Sequence, residues 1–391
     1  MSRFLTWLFG RLPIGWLQLS HNKTRLAAAL AGVAFANLLV FMQLGILGAL
    51  NNSTVAPYTL IRGDILVSST EGDTLTDSGN IARTRMFQAL GIAGVKSAVP
   101  LYIGTLPLSM GDGTSAALLT FGMDTAQPEF AAPWVARELD ALNIESTALL
   151  DKGSRGVSAS VFERLERGEP YAFEINGRTM TAIGTVDVGG GFLADGTLVV
   201  SDQTFLRFNP KRSGGAPSHI LINVDDGASV QTVKTRLEAA LPAESVKVQI
   251  MQDAAAADLA FMSTERPTGI IFGFGVLIGI IVGIVIVYQV LSTDVADHLK
   301  EYATFKAMGY DQPFFLGIVF EEALVLAIFG FIPGFLASSV LYKALASVTN
   351  LPVEMQAGTA ILVFFGTLAA CTLSGAIATR RLAAADPADL F

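Results

Sequence analysis

Glu321 and Glu322 stand side by side in the otherwise apolar stretch 313–341, and they are the residues whose type and place most suggest chemistry. A carboxylate at the centre of a bilayer costs about 2.5–3.5 kcal/mol. Such a pair is therefore either a proton or substrate contact, or a hydrogen bond between helices. At 1.5 Å per residue the two lie about 10–12 Å into the stretch, nearer one face than the middle, which favours the hydrogen bond. Other reactive types are scattered. His21, His219 and His298 stand alone, without the H-E-x-x-H spacing that would put two imidazoles on one metal. Gly189, Gly190 and Gly191 form a run, but no Lys-Ser/Thr follows to complete a phosphate cradle, so the run reads as a flexible loop. No G-x-S-x-G elbow occurs, and Cys371 is the only cysteine. No catalytic, cofactor or metal residue is assigned, and the chain is expected not to be an enzyme by itself.

The elements around these residues are set by composition. Of 391 residues, 51% are hydrophobic and only 15% charged, against about 25% charged in soluble domains; the mean hydropathy is +0.52. Four stretches reach the roughly 20 apolar residues that a hydrocarbon core demands: 26–50, 268–291, 313–341 and 355–379. A cleavable signal peptide is excluded as the reading of the first, because the region before it is too long and the apolar run exceeds the usual 7–15 residues. Arg3, Arg11, Lys23 and Arg25 precede span 1, and Arg380 and Arg381 follow span 4. The excess of basic residues at both ends puts both termini in the cytoplasm of a multi-pass plasma (inner) membrane protein. Within 1–25, Phe4, Leu5, Trp7, Leu8, Leu12, Trp16 and Leu17 recur at roughly helical spacing, as in an amphipathic helix along the interface; a disordered leader is the alternative.

The segment 51–267 would then lie outside. Residues 51–266 hold 17 basic and 25 acidic residues, so this excess of eight acids equals the whole net charge of −8. The acidic balance excludes a nucleic-acid partner. Strands are expected at 60–68, 95–103 and 116–123 with a helix at 80–90; a second unit of the same kind follows, with strands 219–224 and 245–250 around a helix 230–241. Between them lies a β-rich insertion, about 125–217. There Asn176-Gly177 joins strands 171–175 and 178–183 as a tight hairpin, and a further strand spans 197–201. The fold class is thus a membrane α-helical protein of four transmembrane helices, with a large extracytoplasmic α+β domain between helices 1 and 2.

Small residues recur every four positions in two spans: Gly275, Gly279 and Gly283 in span 2, and Gly366, Ala370, Ser374 and Ala378 in span 4. Such faces let helix backbones approach closely in lipid, within one chain or across a dimer seam. The segment 292–312 between spans 2 and 3 is cytoplasmic in this topology, and 342–354 is a periplasmic loop. Within 298–309, Leu299, Tyr302, Phe305 and Met308 fall at intervals of three and make an apolar stripe among His298, Lys300, Glu301 and Lys306; Gly309 suits a helix C-cap. A short amphipathic helix tied to two spans fits a protein partner better than a lipid surface.

With that layout, the chain resembles the MacB/FtsX-type ABC transporter permeases. The motifs are Glu301–Gly309 (EYATFKAMG), Phe320–Pro333 (FEEALVLAIFGFIP) and the ending Ala385-Asp386-Pro387-Ala388. More narrowly, Trp16–Leu19 (WLQL) and Lys23–Gly45 (KTRLAAALAGVAFANLLVFMQLG) look like the cyanobacterial DevC-type permeases. The resemblance covers the four membrane segments; the outer domain is matched in size and layout only. It implies a permease subunit without cofactor of its own, with ATP and Mg on a separate ABC ATPase bound at 298–309. It also implies a second permease copy in a homo- or heterodimer, a periplasmic adaptor and a TolC-like outer-membrane channel. The outer domain would act mechanically in efflux or envelope (glyco)lipid export. FtsX-like chains use the same layout to switch a periplasmic cell-wall hydrolase, which is the alternative.

Overall fold

A computed structural model describes residues 14–110, 113–192, 194–298, 301, 304–306, 308–349 and 351–378. The chain divides into two compact units: one of the described residues in Met1–Gly48, Ile271–Ala344 and Val353–Phe391, the other of those in Ala49–Ile270 and Leu345–Pro352.

The first unit is helical. Helix α1 (Ile14–His21) precedes α2 (Lys23–Val55), and the other long helices are α8 (Pro267–Asp297), α9 (Gln312–Thr349) and α10 (Ala357–Ala378). Among the described residues four helices are long and apolar enough to cross a membrane. Their ends correct the expected limits. Helix α8 continues six residues past 291, and α9 eight residues past 341 into the segment read as a loop. Apolarity marks the thickness of hydrocarbon, whereas a helix ends where its backbone is broken. Ser292–Asp297 holds no Gly or Pro, and α9 stops only before Leu351-Pro352, where proline disfavours a helical predecessor.

The second unit contains nine described strands in one sheet, ordered β3-β7-β4-β6-β5-β2-β8-β1-β9 with a further β2–β3 pairing. The two units read from the sequence are not separate. β1 (Ile65–Ser69), α3 (Thr84–Leu90) and the first half of β2 (Val95–Ser109) interleave with β8 (His219–Val224), α6 (Val230–Ala240) and β9 (Val246–Ile250). The order β2-β8-β1-β9, antiparallel throughout, is that of a split β-α-β-β-α-β fold. Helices α3 and α6 cover one face through Met86, Ala89, Val233 and Leu237, packed on Ile65, Val67, Ile220 and Ile222.

β2 runs on past the expected 103 to Ser109, and this second half belongs to the insertion. There β3 (Ser115–Met123), β7 (Gly196–Ser201), β4 (Thr147–Asp151), β6 (Arg178–Val186) and β5 (Tyr171–Ile175) return to β2, closing a six-stranded ring. The hairpin between β5 and β6 turns at Asn176 and Gly177, whose φ values of 51° and 71° are those of a tight primed turn. Tyr102, Phe121 and Phe205, on β2, β3 and α5 (Asp202–Phe208), are fully buried. Helix α4 (Ala159–Glu166) packs Val161 and Leu165 into the core that holds Tyr102 and Phe205. Helix α7 (Met251–Thr264) follows β9, and Glu265 and Arg266 separate it from α8.

Candidate functional site

In the helical unit the segment read as a partner-binding helix is described in part. Leu299, Lys300 and Tyr302 lie outside the described residues, as do 1–13 of the amphipathic reading and Arg380, Arg381 and the Asp-Pro-Ala ending. Helix α8 reaches Asp297; Glu301 and Thr304–Lys306 are helical. The helix stops in a Schellman motif: the Tyr310 N–H donates to the Phe305 carbonyl (3.2 Å), the Gly309 N–H to Lys306 (3.0 Å), and Gly309 has φ +91°. The apolar contact that accompanies this motif is present, with the Phe305 and Tyr310 rings edge-on at 5.7 Å and both against Phe314.

Phe305 lies within the last turn, whereas Met308 is the C-cap, its N–H still donating to the Thr304 carbonyl (3.1 Å). Phe305 packs against the bundle core, while Met308 is 60% exposed and Tyr310 45%. Gln18 Nε2 donates to Glu301 (3.1 Å) and Arg25 pairs with Asp297 (2.5 Å), fastening this region to α1 and α2.

Glu321 and Glu322 are buried on α9. The Trp16 backbone N–H donates to Glu321 Oε1 at 3.2 Å. A Cβ on Gly15 would stand 2.8 Å from the Ile318 carbonyl and 2.9 Å from Glu322 Cγ. Gly15 thus lets α1 lie directly on the carboxylate turn, and the Trp16 ring lies tilted against Phe329 beside it at 6.2 Å, while Leu17 is exposed.

The small residues of span 2 meet α2. Cβ atoms at Gly275, Gly279 and Gly283 would approach Gln43 (2.5 Å), Val40 (3.3 Å) and Ala36 (3.3 Å). Helix α9 meets α2 in the same way: Gly330 faces Val33 at 2.6 Å, and Gly334 the Ala34 carbonyl at 2.8 Å. Span 1 is thus the central post of the unit. In α10, Ser374 donates to the Ile284 carbonyl (3.3 Å), Gly366 meets nothing within 4 Å, Ala370 lines a cavity with it, and Ala378 is the last described residue.

In the α/β unit, a polar network that the sequence reading missed joins the chain just after span 1 to the helix just before span 2. The Tyr58 hydroxyl and the Leu75 N–H both donate to Asp258 Oδ2, at 2.7 and 2.8 Å. The Leu75 carbonyl lies 2.8 Å from His219 Nε2, and His219 Nδ1 lies 2.8 Å from Ser68 Oγ. A carbonyl can only accept, so Nε2 carries the proton and Nδ1 accepts from Ser68. Burial pushes the His219 imidazole down to about 4 and raises the Asp258 carboxyl above the ordinary carboxylate range, against its two donors and Lys247. Beyond α7, Arg266 pairs with Asp77 and Asp73 and covers the Phe261 ring. Asp258 did carry a signal: Ala254, Asp258 and Met262 form the buried stripe of α7, and an acid on an apolar stripe needs a partner.

A second tie lies at the Gly189–Gly191 loop. The Val188 and Gly189 amides donate to Asp151 Oδ1 (3.0 and 3.1 Å), so they hold an internal carboxylate, which burial pushes up, and not an external phosphate. Arg155 pairs with Asp195 and donates to the carbonyls of Gly191 (2.8 Å), Ala194 (2.9 Å) and Thr349 (3.3 Å), the last residue of α9. Among the described residues no cluster of three metal-ligating side chains occurs.

Solved structures similar to this chain include the following three, and one family model matches its sequence. The periplasmic region of MacB from Actinobacillus actinomycetemcomitans aligns at 12% identity over 50% of this chain and 92% of its own, with a TM-score of 0.35. The extracellular domain of the noncanonic ABC-type transporter YknZ from Gram-positive bacteria aligns at 11% identity over 48% and 100%, TM-score 0.33. A domain of a putative permease protein from Porphyromonas gingivalis aligns at 14% identity over 48% and 90%, TM-score 0.28. No curated protein matches the chain in sequence. Residues 273–387, which take in most of α8 and all of α9 and α10, match the FtsX-like permease C-terminal family.

Proposed function

We propose that this chain is the membrane subunit of an ABC-type exporter of the MacB/FtsX kind, similar to the DevC-type permeases, with ATP hydrolysed on a separate subunit. The observation that carries the reading is the FtsX-like permease match over 273–387. Its physical counterpart is the turn after α8. Phe305 anchors that turn inside the bundle while Met308 and Tyr310 stand out of it, the arrangement of a contact that must both grip a partner and pull on helices.

With both termini cytoplasmic, the turn faces the ATPase and the α/β unit faces outward. Nucleotide-driven closure of the ATPase pair displaces the turn. Helix α8 is continuous from Pro267 to Asp297 and carries that displacement along its axis. Helix α7 receives it across Glu265 and Arg266, and the Asp258–Tyr58 bond makes the chain leaving span 1 move with α7. The outer unit so driven works with a periplasmic adaptor and an outer-membrane channel, as one half of a permease dimer.

The test is capture by the tagged full-length chain from native membranes. An ABC ATPase and an adaptor are expected, with the ATPase lost in Met308→Asp at unchanged thermal stability. Phe305→Asp is the poorer probe, because it breaks the bundle as well as the contact. Recovery of a cell-wall hydrolase instead of an adaptor places the chain with the regulators, and ATP hydrolysis by the purified chain alone overturns the proposal.

A further inference from the structure

Helix α2 carries two carboxamides within the apolar stretch 26–50, Asn37 and Gln43. Asn37 is enclosed at 4% exposure, with Thr367 Oγ1 at 2.5 Å from its Oδ1. Gln43 differs on both counts. Its side chain is half-buried with neither amide atom enclosed, and among the described residues no hydrogen bond reaches it. The amide lies across Gly275 of α8, where a Cβ would stand 2.5 Å from Oε1, 2.6 Å from Cδ and 2.9 Å from Nε2. The bare glycine is what lets the amide rest in the crease between the two helices. Gln43 is seven residues from the Leu50 end of the stretch, about 10 Å at 1.5 Å per residue. Acyl tails at that depth supply neither donor nor acceptor, and an unmet amide in hydrocarbon is costly.

The surroundings of the amide are apolar on both helices. On α8, Ile271 and Ile278 stand one turn to either side of Gly275 and are 65% and 58% exposed. On α2, Leu39 and Leu47 stand one turn to either side of Gln43 and are half-buried. The cavity lined by Val276 and Ile280 lies on the other flank of α8. Gln43 is thus the polar centre of an apolar surface to which both helices contribute.

We propose that this surface is the seam with a second copy of the chain, closed by a reciprocal pair of hydrogen bonds between the two Gln43 amides. Two copies inserted in the same sense are related by a twofold axis along the membrane normal, so each residue meets its counterpart at the same depth. A carboxamide is its own complement: the N–H of each amide donates to the oxygen of the other. A lipid tail covers the apolar ring but leaves both amide atoms unmet. The four apolar side chains pack around the amide pair and keep lipid out, since close packing drives association between spans. This inference rests on the reading of the chain as one half of a permease dimer and assigns that dimer its contact.

The experiment reconstitutes the full-length chain, tagged with donor or acceptor fluorescent proteins, in vesicles of phosphatidylethanolamine and phosphatidylglycerol at falling protein-to-lipid ratios. Energy transfer then gives the dimer fraction. Gln43→Leu, similar in size but without donor or acceptor, is expected to weaken association about tenfold. That factor is about 1.4 kcal/mol, the order of two hydrogen bonds between spans. A second measurement keeps Gln43 out of the comparison of stabilities. With the single cysteine removed by Cys371→Ala, a short bis-thiosulfonate reagent should bridge two copies of Gln43→Cys but not of Leu44→Cys, whose side chain lines the cavity on the other flank. Unchanged association of Gln43→Leu, or bridging at Leu44→Cys in place of Gln43→Cys, overturns the seam and leaves the dimer standing. A chain that is monomeric at every ratio overturns both.

Discussion

The helical unit and the α/β unit hold themselves together by opposite means. In the first, α2 is approached by glycines: Gly279 and Gly283 of α8 and Gly330 and Gly334 of α9 bring backbone against side chain or backbone. Lipid tails are as apolar as leucine, so burying leucine there gains little, and association depends on close packing. In the second, apolar burial is worth about 25 cal/mol per Å², and it supports the core under α3 and α6 as well as the ring. That unit can therefore carry buried polar groups such as His219, Asp258 and Asp151, each bonded to a neighbour. The contrast teaches where each unit is fragile: added volume breaks the first, and a missing partner breaks the second.

The largest expected effect follows from the first half of that contrast. Gly334→Leu must drive its side chain into the Ala34 carbonyl and Asn37 Cβ, and backbone cannot yield as a flexible side chain does. Overpacking of this kind costs about 3 kcal/mol, and the detergent-purified chain is expected to lose its monodisperse peak. Gly366→Leu on α10, where nothing stands within 4 Å, is expected to leave the peak in place. Equal tolerance of both substitutions would show that close approach to α2 does not hold the unit.

Acid tests the second half. The His219 imidazole titrates near 4 in the folded chain and near 6.5 unfolded. The unfolded chain takes up a proton below pH 6.5 that the folded one refuses until about pH 4. This contribution is thus complete above pH 6.5 and is lost as pH falls from 6.5 to 4, by about 3 kcal/mol in all. Asp151, Asp202 and Asp258, pushed up by burial, act in the opposite sense and are stabilising on acidification. The readout is therefore the difference between the unmodified chain and His219→Gln in hydrogen exchange of β1 and β8 amides. That difference should shrink across this window, and a constant difference would mean that the imidazole is not held neutral by the fold.

Removing Asp258 is expected to matter somewhat less. Asp258→Ala leaves the Tyr58 hydroxyl and the Leu75 amide buried without an acceptor, at about 2 kcal/mol. Asp258→Asn retains an oxygen that can accept both bonds and should restore most of the loss in the same exchange measurement.

How much of this was legible in the sequence differs between the units for the same physical reasons. Long uncharged runs announce helices, but hydropathy stops at Leu291 and Leu341 while the helices continue to Asp297 and Thr349, because polar residues without Gly or Pro prolong a helix outside lipid. Gly275, Gly279 and Gly283 were legible as a packing face, but their neighbour was not, since small residues say that something comes close and not what. Alternation and turn residues revealed most strands, including the hairpin at Asn176-Gly177. The interleaving of β1 with β8 and β9 was hidden, because pairing between residues some 150 positions apart leaves no local trace. For the same reason Tyr58, Asp258 and His219 looked like three unrelated residues.

Arg155 gives the finest discrimination between the two modes of cohesion. Its guanidinium serves four acceptors: Asp195 and the carbonyls of Gly191, Ala194 and Thr349. The geometry is that of a planar fork, which lysine cannot reproduce with one rotating ammonium. Arg155→Lys is expected to keep the charge pair with Asp195 yet release the glycine loop, costing about 1 kcal/mol of local opening. Limited proteolysis within 188–196 should then quicken by about fivefold, with the helical unit unaffected. Cleavage at the unmodified rate would mean that Asp151, through the Val188 and Gly189 amides, suffices to hold the loop. The polar cohesion of the α/β unit would then reside in its buried carboxylates and not in this partly buried arginine.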